Sequence, residues 1–206
     1  MIPLPDPAKK RYDRLAFFYN TLEAPFEYFR FSFWRERLRR TIVGCRALEA
    51  GVGTGKNLVH YPSETKITAI DLSPAMLKRA RKTAAQKDIS VTLLEMDVQK
   101  IEFPDNYFDT VFATFVFCSV FDPVAGLKEL RRVCKPGGKL LLLEHIRPRK
   151  TIMGFVFDFL NPIIVRMMGA NINLRTLDNI RIAGWRIRSK EMLWSDIVWW
   201  IEADNM

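Results

Sequence analysis

The sequence predicts an α/β fold in which a largely parallel sheet lies between helical layers, with a ligand at the carboxyl ends of the strands. Three observations predict it. Short apolar segments alternate with helix-forming segments from Arg46 to Glu144. A glycine-rich turn, Leu48 to Asn57, follows the first apolar segment. The run from Phe108 to Phe115 is largely apolar, which is typical of a strand that is buried on both faces of a parallel sheet.

The predicted elements of this core follow in order along the chain. The expected strands are Arg46 to Glu49, Lys66 to Asp71, Val91 to Met96, Phe108 to Phe115 and Lys139 to Glu144. The expected helices begin with Lys56 to His60, then span Pro74 to Lys87 and Pro123 to Val133. Ser73 is the expected N-cap of the second helix, because its hydroxyl can accept an amide hydrogen bond. A turn is expected at Lys135 to Gly138.

The pattern changes after His145. The stretch Ile152 to Met168 is long and apolar, and it predicts a buried core helix, a cap over an apolar substrate or a second membrane-facing element. A helix is then expected from Arg175 to Ala183, ending at Gly184. Two further strands, Trp185 to Trp194 and Ile197 to Ala203, would form a closing hairpin.

The N-terminal segment from Ala8 to Arg40 is crowded with aromatic and basic residues. Pro25 is expected to divide it into two helices. Its aromatics could pack on the domain as a lid, or the segment could lie in the headgroup region of a membrane, and both can hold at once. We expect one domain over 1–206, with a lid or membrane segment at 1–43, a cofactor-binding core at 44–146, and a substrate cap with closing hairpin at 147–206.

The formal net charge of +9 and the pI near 9.6 predict attraction to an anionic surface, which could be lipid, nucleic acid or an acidic substrate. The three cysteines are widely spaced and favour free thiols rather than disulfides or a zinc site, so no metal is expected. The N-terminus lacks a signal-peptide core, and the longest uncharged run, Thr110 to Phe121, is too short to span a bilayer. A cytoplasmic protein peripheral to the membrane is expected.

The glycine-rich turn fits neither of two common nucleotide motifs. A dinucleotide fingerprint needs its third glycine where Lys56 stands, and a P-loop needs a glycine where Ala50 stands and a hydroxyl residue where Asn57 stands. The remaining pattern is an acid followed by three alternate glycines, Glu49, Gly51, Gly53 and Gly55. It suits a ligand with a cationic, amino-acid-like end, which Glu49 attracts while the bare backbone allows close approach.

Two further acids follow the next two strands. Asp71 ends the second strand, where a carboxylate can accept hydrogen bonds from both hydroxyls of a ribose, although it could also be an ordinary cap. Asp97 follows the third strand, where it could read an adenine amino group between Met96 and Val98. Three acids after three successive strands form a more specific pattern than any one of them.

Five motifs, in this order and spacing, resemble those of the class I S-adenosylmethionine-dependent methyltransferases. They are Glu49 to Gly55, Ile70 to Leu77, Met96-Asp97, Phe103 to Asp109 and Leu130 to Gly138. The resemblance covers about residues 46 to 145. It implies a Rossmann-like seven-stranded sheet whose last strand runs antiparallel, with S-adenosyl-L-methionine as cofactor and S-adenosyl-L-homocysteine as product.

The same resemblance implies where the cofactor lies. Its methionyl end would lie over the glycines near Glu49, its ribose on Asp71 with Leu72 beside it, and its adenine near Met96, Asp97 and Val98. Thr114 and Phe115, after the fourth strand, would approach the methionyl group.

The methyl acceptor is less constrained. Leu48 to Pro62 is similar to bacterial phospholipid N-methyltransferases, whereas Cys118 to Val120 and Glu144-His145 resemble microsomal alkyl-thiol methyltransferases. Quinone C-methyltransferases share the cofactor motifs. The aromatic, basic N-terminus, the apolar stretch and the tryptophans Trp194, Trp199 and Trp200 favour a lipid at an interface, with phosphatidylethanolamine as first choice. A methyltransferase-fold module that binds nucleic acid without catalysis is a less favoured alternative, because the cofactor acids are intact.

For an amine acceptor, the protein mainly positions and desolvates the reactants. His145 is the candidate to hold the lipid phosphate or to accept a proton, although a structural hydrogen bond would also explain it. Tyr12 and Tyr19 could close over the methyl group, although packing is the plainer explanation for Tyr19. His60 is interpreted as a helix-end residue without a role. The oligomeric state stays open.

Overall fold

The computed structural model describes residues 32–146, 175–194 and 197–206, together with Phe159 and Asn161. Some predictions therefore concern residues outside the described ones. These are the proposed substrate residues Tyr12 and Tyr19, the first part of the expected lid, and all of the apolar stretch Ile152 to Met168 except Phe159 and Asn161.

The centre of the molecule is a seven-stranded sheet in the order β3-β2-β1-β4-β5-β7-β6. The strands are β1 (Arg46–Ala50), β2 (Lys66–Asp71), β3 (Thr92–Glu95), β4 (Phe108–Thr114), β5 (Cys134–His145), β6 (Arg186–Trp194) and β7 (Val198–Asp204). The first five strands pair in parallel, whereas β7 runs antiparallel to both β5 and β6. The predicted Rossmann-like sheet with its antiparallel last strand is confirmed.

Four helices lie in the described part of the chain: α1 (Ser32–Thr41), α2 (Pro74–Gln86), α3 (Pro123–Val133) and α4 (Thr176–Ile182). Ser73 caps α2 as predicted, since its Oγ accepts a 3.2 Å hydrogen bond from the amide of Met76. Asp122 caps α3 in the same way through the amide of Ala125, at 3.0 Å.

The helix expected from Lys56 is a correction to the sequence analysis. Only one short 3-10 turn forms there, Leu58–His60. Gly55, with φ of 86°, cannot extend a right-handed helix backwards, and Tyr61 is extended because Pro62 follows it. The segment between β1 and β2 is therefore a compact loop.

The turn expected at Lys135 to Gly138 lies inside a strand. β5 begins at Cys134, opposite Phe108, and pairs regularly again from Lys139, opposite Thr110. The four intervening residues bulge against Asp109 of β4, and the left-handed φ of 76° at Gly137 lets the chain turn there.

The sheet separates two apolar cores. Along β5, Leu140 and Leu142 pack into one core, whereas Leu141 and Leu143 pack into the other, because successive strand residues face opposite sides. The first core also contains α3 and α4. The second receives Trp34 and Leu38 of α1, which are 6% and 2% exposed.

The closing tryptophans require a second correction. Trp199 and Trp200 are 4% and 0% exposed, so they fill the core and cannot face a membrane, while Trp194 is 37% exposed. Trp199 packs into the first core and Trp200 into the second, so both faces of β7 are buried, whereas Trp194 lies on the edge strand β6. No helix among the described residues is long and apolar enough to cross a bilayer.

Candidate active site

A cavity opens at the carboxyl ends of the parallel strands. Many of its lining residues were predicted from the sequence: Gly51, Gly53, Asp71, Leu72, Met96, Asp97, Val98, Thr114 and Phe115. The loops after four strands meet here because the parallel strands all end at the same edge of the sheet. Glu49, Gly55 and His145 do not line it.

The glycine-rich loop is held tightly against β2. The amides of Gly51 and Val52 both donate to the carbonyl of Ile70, at 2.8 and 3.0 Å. Gly51 has a left-handed φ of 70°, and a methyl group there would overlap the side chain of Val116. At Gly53, with φ of 55°, no atom lies within 4 Å of an added methyl. Its bare backbone therefore faces open space in the cavity wall.

Asp71 joins the glycine loop to the end of β2. Its Oδ2 accepts a 2.8 Å hydrogen bond from the amide of Gly53, and its Oδ1 accepts a 2.9 Å bond from the amide of Ser73. Asp71 also lines the cavity, where a carboxylate can accept hydrogen bonds from a ligand hydroxyl. The arrangement fits the ribose role predicted for Asp71.

The far end of the cavity is organised by Asp97. Its Oδ1 accepts from the amide and the side chain of Gln99, at 2.8 and 3.0 Å, and Gln99 in turn accepts a 2.9 Å bond from the amide of Asp122. Met96 and Val98 add apolar surface beside this carboxylate. A flat heteroaromatic ring with an exocyclic amine could pack against Met96 and Val98 and donate a hydrogen bond to the carboxylate of Asp97.

Glu49 lies beneath the glycine loop and is fully buried. Its Oε1 accepts from the side-chain amide of Asn57, and its Oε2 accepts from the hydroxyl of Tyr61. Burial raises the pKa of Glu49 to about 7, against the lowering effects of these hydrogen bonds and of the nearby Arg35. Both carboxylate oxygens of Glu49 bind other side chains, and Glu49 does not line the cavity. A direct contact between Glu49 and the cationic end of a ligand therefore stays a prediction.

Arg35 was missed in the sequence analysis as a site residue. It projects from α1, is 4% exposed and lines the cavity. Its Nη1 donates to Asn57 Oδ1 and, at 3.3 Å, to Thr114 Oγ1. In the sequence it is one basic residue among many in the N-terminal segment, so no local signal distinguishes it.

The turn after β4 shapes the side of the cavity beyond Thr114. Phe115 adopts a left-handed φ of 57°, which is strained for an aromatic residue. Glu144 Oε1 supports the turn by accepting from the amides of Val116 and Phe117, at 2.9 and 3.1 Å. Burial raises the pKa of Glu144 to about 7. The centres of the His145 and Phe115 rings lie 4.6 Å apart. Phe115 lines the cavity and His145 does not, so His145 contacts the cavity lining from outside.

No cluster of metal-ligating side chains occurs among the described residues.

Comparison with known proteins identifies the domain. Residues 48–142 match the model of the family described as methyltransferase domain. A solved structure of a SAM-dependent methyltransferase from Thermotoga maritima, described as a possible histamine N-methyltransferase, has a TM-score of 0.65 and 24% identity. The match covers 93% of this chain and 98% of that chain, and at this identity it shows the fold alone. Residues 48–142 of this chain thus match a methyltransferase domain, and the fold is that of a SAM-dependent methyltransferase neighbour.

Two groups of curated relatives are similar to this chain. A phosphatidylethanolamine N-methyltransferase from Cereibacter sphaeroides is 39% identical over 104 residues, which are 50% of this chain and 51% of that protein. The ubiquinone/menaquinone biosynthesis C-methyltransferase UbiE from Shewanella woodyi is 32% identical over 135 residues, 63% of this chain and 54% of that protein. The chain thus spans about half the length of the curated relatives it matches.

The solved neighbour from Thermotoga maritima is described as SAM-dependent, and S-adenosyl-L-methionine is the cofactor that the sequence resemblance implies. The cavity residues fit this cofactor. The open backbone at Gly53 allows close approach, and Asp71 offers carboxylate oxygens near the centre of the cavity. Met96 and Val98 offer apolar surface for the adenine at one end, beside the carboxylate of Asp97.

Proposed function

We propose that this methyltransferase N-methylates the headgroup of phosphatidylethanolamine at a membrane surface. The observation that carries the proposal is the 39% identity to a phosphatidylethanolamine N-methyltransferase over half of the chain. A hydrophobic acceptor is also supported by the apolar residues Phe115, Val120 and Phe121 in the cavity lining. Phe121 is 85% exposed, so the rim of the cavity offers an apolar surface to an approaching lipid.

The cofactor supplies a methyl group on a positively charged sulfur, which is already an activated leaving group. The protein's residues therefore act mainly by holding the reactants in line and excluding water. In this proposal Gly53 and Asp71 hold the cofactor, while Phe115 and Val116 desolvate the acceptor amine. Only a neutral amine nitrogen has the lone pair that attacks, so an ammonium headgroup must lose one proton before the methyl group is transferred.

His145, Tyr12 and Tyr19 complete the proposed acceptor site. Because His145 does not line the cavity, we assign it to the lipid phosphate beyond Phe115, with proton acceptance as its alternative role. Tyr12 and Tyr19, outside the described residues, would close over the methyl group. These roles rest on the sequence predictions.

The proposed membrane contact is supported by α1. Phe33 is 76% exposed, and the side chains of Arg39 and Arg40 are 50% and 78% exposed. An exposed aromatic residue beside exposed arginines is typical of a helix at an anionic lipid interface. We therefore propose peripheral association with anionic membranes.

Labelled cofactor and liposomes test this function. The full-length protein is incubated with methyl-labelled S-adenosyl-L-methionine and vesicles that contain phosphatidylethanolamine and an anionic lipid. The expected result is label in the phosphatidylethanolamine headgroup. Matched vesicles of phosphatidylcholine should stay unlabelled, because its quaternary nitrogen already carries three methyl groups and cannot accept another. Absence of lipid label, in a preparation that binds S-adenosyl-L-homocysteine, would contradict the acceptor while leaving the cofactor in place.

Quinone C-methylation is the second candidate. Its support is the match to UbiE. This match covers more of the chain than the match to the phosphatidylethanolamine N-methyltransferase, 63% against 50%, but its sequence identity is lower, 32% against 39%. Adding a demethylated quinone to the same vesicles distinguishes the two functions. A quinone C-methyltransferase would place the label on a ring carbon of the quinone, whereas a phospholipid N-methyltransferase would place it on the headgroup nitrogen. An alkyl thiol acceptor is tested in the same assay.

A further inference from the structure

The carboxylate of Asp97 is held by one residue of the cavity lining. In the part of the chain that the structure describes, the hydrogen bonds to this carboxylate all come from Gln99. The backbone amide of Gln99 donates to Oδ1 at 2.8 Å, and its side-chain Nε2 lies 3.0 Å from Oδ1 and 3.1 Å from Oδ2. Both residues line the cavity. The position of the carboxylate therefore depends on how Gln99 is oriented.

A backbone amide fixes the orientation of the Gln99 side chain. The nitrogen of Asp122, the N-cap residue of α3, lies 2.9 Å from Oε1 of Gln99. A backbone N–H only donates, so the atom opposite it must be the carbonyl oxygen of the side-chain amide and not its NH2 group. The NH2 group consequently faces Asp97. A flipped amide would place a donor against the Asp122 amide and an acceptor against the carboxylate.

This arrangement holds the carboxylate without neutralising its charge. Gln99 is neutral, whereas a lysine or arginine in its place would form an ion pair with Asp97. An ionised carboxylate is an acceptor only, so a ligand atom that hydrogen-bonds to it must carry a hydrogen. The exocyclic amine of adenine meets this condition. A purine with a hydrogen atom in place of that amine offers no N–H donor at the same position.

We infer that Gln99 is a positioning residue of the cofactor site: by holding Asp97 in place, it sets a preference for a purine that carries the 6-amino group. The inference rests on the methyltransferase function proposed above, with S-adenosyl-L-methionine as cofactor, and does not depend on the choice of methyl acceptor. Met96 and Val98 offer apolar surface to either purine, so the preference comes from the carboxylate.

Calorimetry with two ligands tests the inference. One ligand is S-adenosyl-L-homocysteine, and the other is its analogue in which hydrogen replaces the 6-amino group. The wild-type protein should bind the first ligand about 10- to 100-fold more tightly, as expected for a hydrogen bond to a charged group. Gln99→Met should reduce this ratio to within about 3-fold of one. Asp97→Ala should also bring the ratio near one, and adding Gln99→Met to it should change the ratio no further.

Two control variants show which contact of Gln99 matters. Gln99→Glu keeps an acceptor for the amide of Asp122, and so the link to α3, but it has no N–H for Asp97. It should lose the ratio as Gln99→Met does. Gln86→Met makes the same substitution at an exposed residue that ends α2 outside the cavity lining, and it should keep the wild-type ratio.

Three results would overturn the inference. In the first, Gln99→Met weakens both ligands equally and keeps the wild-type ratio, so Gln99 only supports the fold. In the second, the wild-type ratio is itself near one, so Asp97 does not recognise the amine. In the third, the wild-type protein binds neither ligand, which also contradicts the cofactor assignment. The assay contains no methyl acceptor, so a failure of the phospholipid proposal in the vesicle assay leaves the result of this calorimetry unchanged.

Discussion

Glu144 holds the turn that forms one side of the cavity: its Oε1 accepts a 2.9 Å hydrogen bond from the amide of Val116. The same oxygen accepts from the amide of Phe117, and the carboxyl is 1% exposed. Its second oxygen, Oε2, has no hydrogen-bond partner in the described structure. Val116 in turn lies against Gly51, so a residue of β5 supports the glycine loop indirectly.

Substituting Glu144 should affect the cofactor site through this turn. Glu144→Leu leaves two buried amides without an acceptor, which we expect to cost about 2–4 kcal/mol at pH 5. It should also weaken binding of S-adenosyl-L-homocysteine by about 10-fold or more. Glu144→Gln keeps a carbonyl acceptor and should bind within about 3-fold of wild type. Calorimetry and chemical denaturation measure both effects, and equal behaviour of the two variants would refute the role of the hydrogen bonds.

The raised pKa of Glu144 predicts how stability depends on pH. With a pKa of about 7 in the folded protein, against an ordinary 4.5, the folded state holds the proton more tightly than the unfolded state. This contribution to stability is complete below about pH 4.5 and is lost as pH rises through 7. Between pH 5 and pH 8 the wild type should lose up to about 3 kcal/mol more than Glu144→Gln, measured by denaturant unfolding at each pH. Parallel curves for the two proteins would contradict the prediction.

Asp71 should be essential for the cofactor. Asp71→Ala removes the carboxylate predicted to bind the ribose and also its bonds to the amides of Gly53 and Ser73. We expect binding of S-adenosyl-L-homocysteine to become undetectable by calorimetry while the circular dichroism spectrum stays that of a folded protein. Asp71→Asn, which can still accept one amide bond, should recover the loop but not the ribose contact. Unchanged affinity in either variant would show that the ribose is bound elsewhere.

Gly51 and Gly137 offer a matched comparison, because both have a left-handed φ, 70° and 76°. Gly51→Ala adds a methyl that overlaps Val116, whereas Gly137→Ala adds one into open space near the start of β5, at the other end of the strands from the cavity. Both variants should lose about 1–2 kcal/mol through backbone strain. Only Gly51→Ala should also lose about 10-fold or more in affinity for S-adenosyl-L-homocysteine. A similar loss in Gly137→Ala would mean that affinity simply follows stability.

The N-terminal segment can be tested separately from catalysis. Removing residues 1–24 should reduce sedimentation with anionic liposomes several-fold, because the removed part contains aromatic residues and Lys9, Lys10 and Arg11. Binding of S-adenosyl-L-homocysteine in solution serves as the folding control. Full retention of liposome binding would refute an interfacial role for this segment.

The sheet and most of the cavity lining could be predicted because their signals are local. The alternation of apolar segments, the alternate glycines and the acids at or just beyond the ends of β1 to β3 all lie within short windows of sequence. The contacts of Arg35 with Asn57 and Thr114 join residues 22 and 79 positions apart, and no pattern within α1 announces them. For the same reason the prediction for Trp199 and Trp200 was wrong: their burial depends on the apolar cores that cover the two faces of β7.

One competition experiment tests the central claim most directly. Vesicles that contain equal amounts of phosphatidylethanolamine and a demethylated quinone are incubated with the full-length protein and methyl-labelled S-adenosyl-L-methionine. The account predicts that the label accumulates on the nitrogen of the phospholipid headgroup. Accumulation on the quinone ring, with the phospholipid unlabelled, would contradict it.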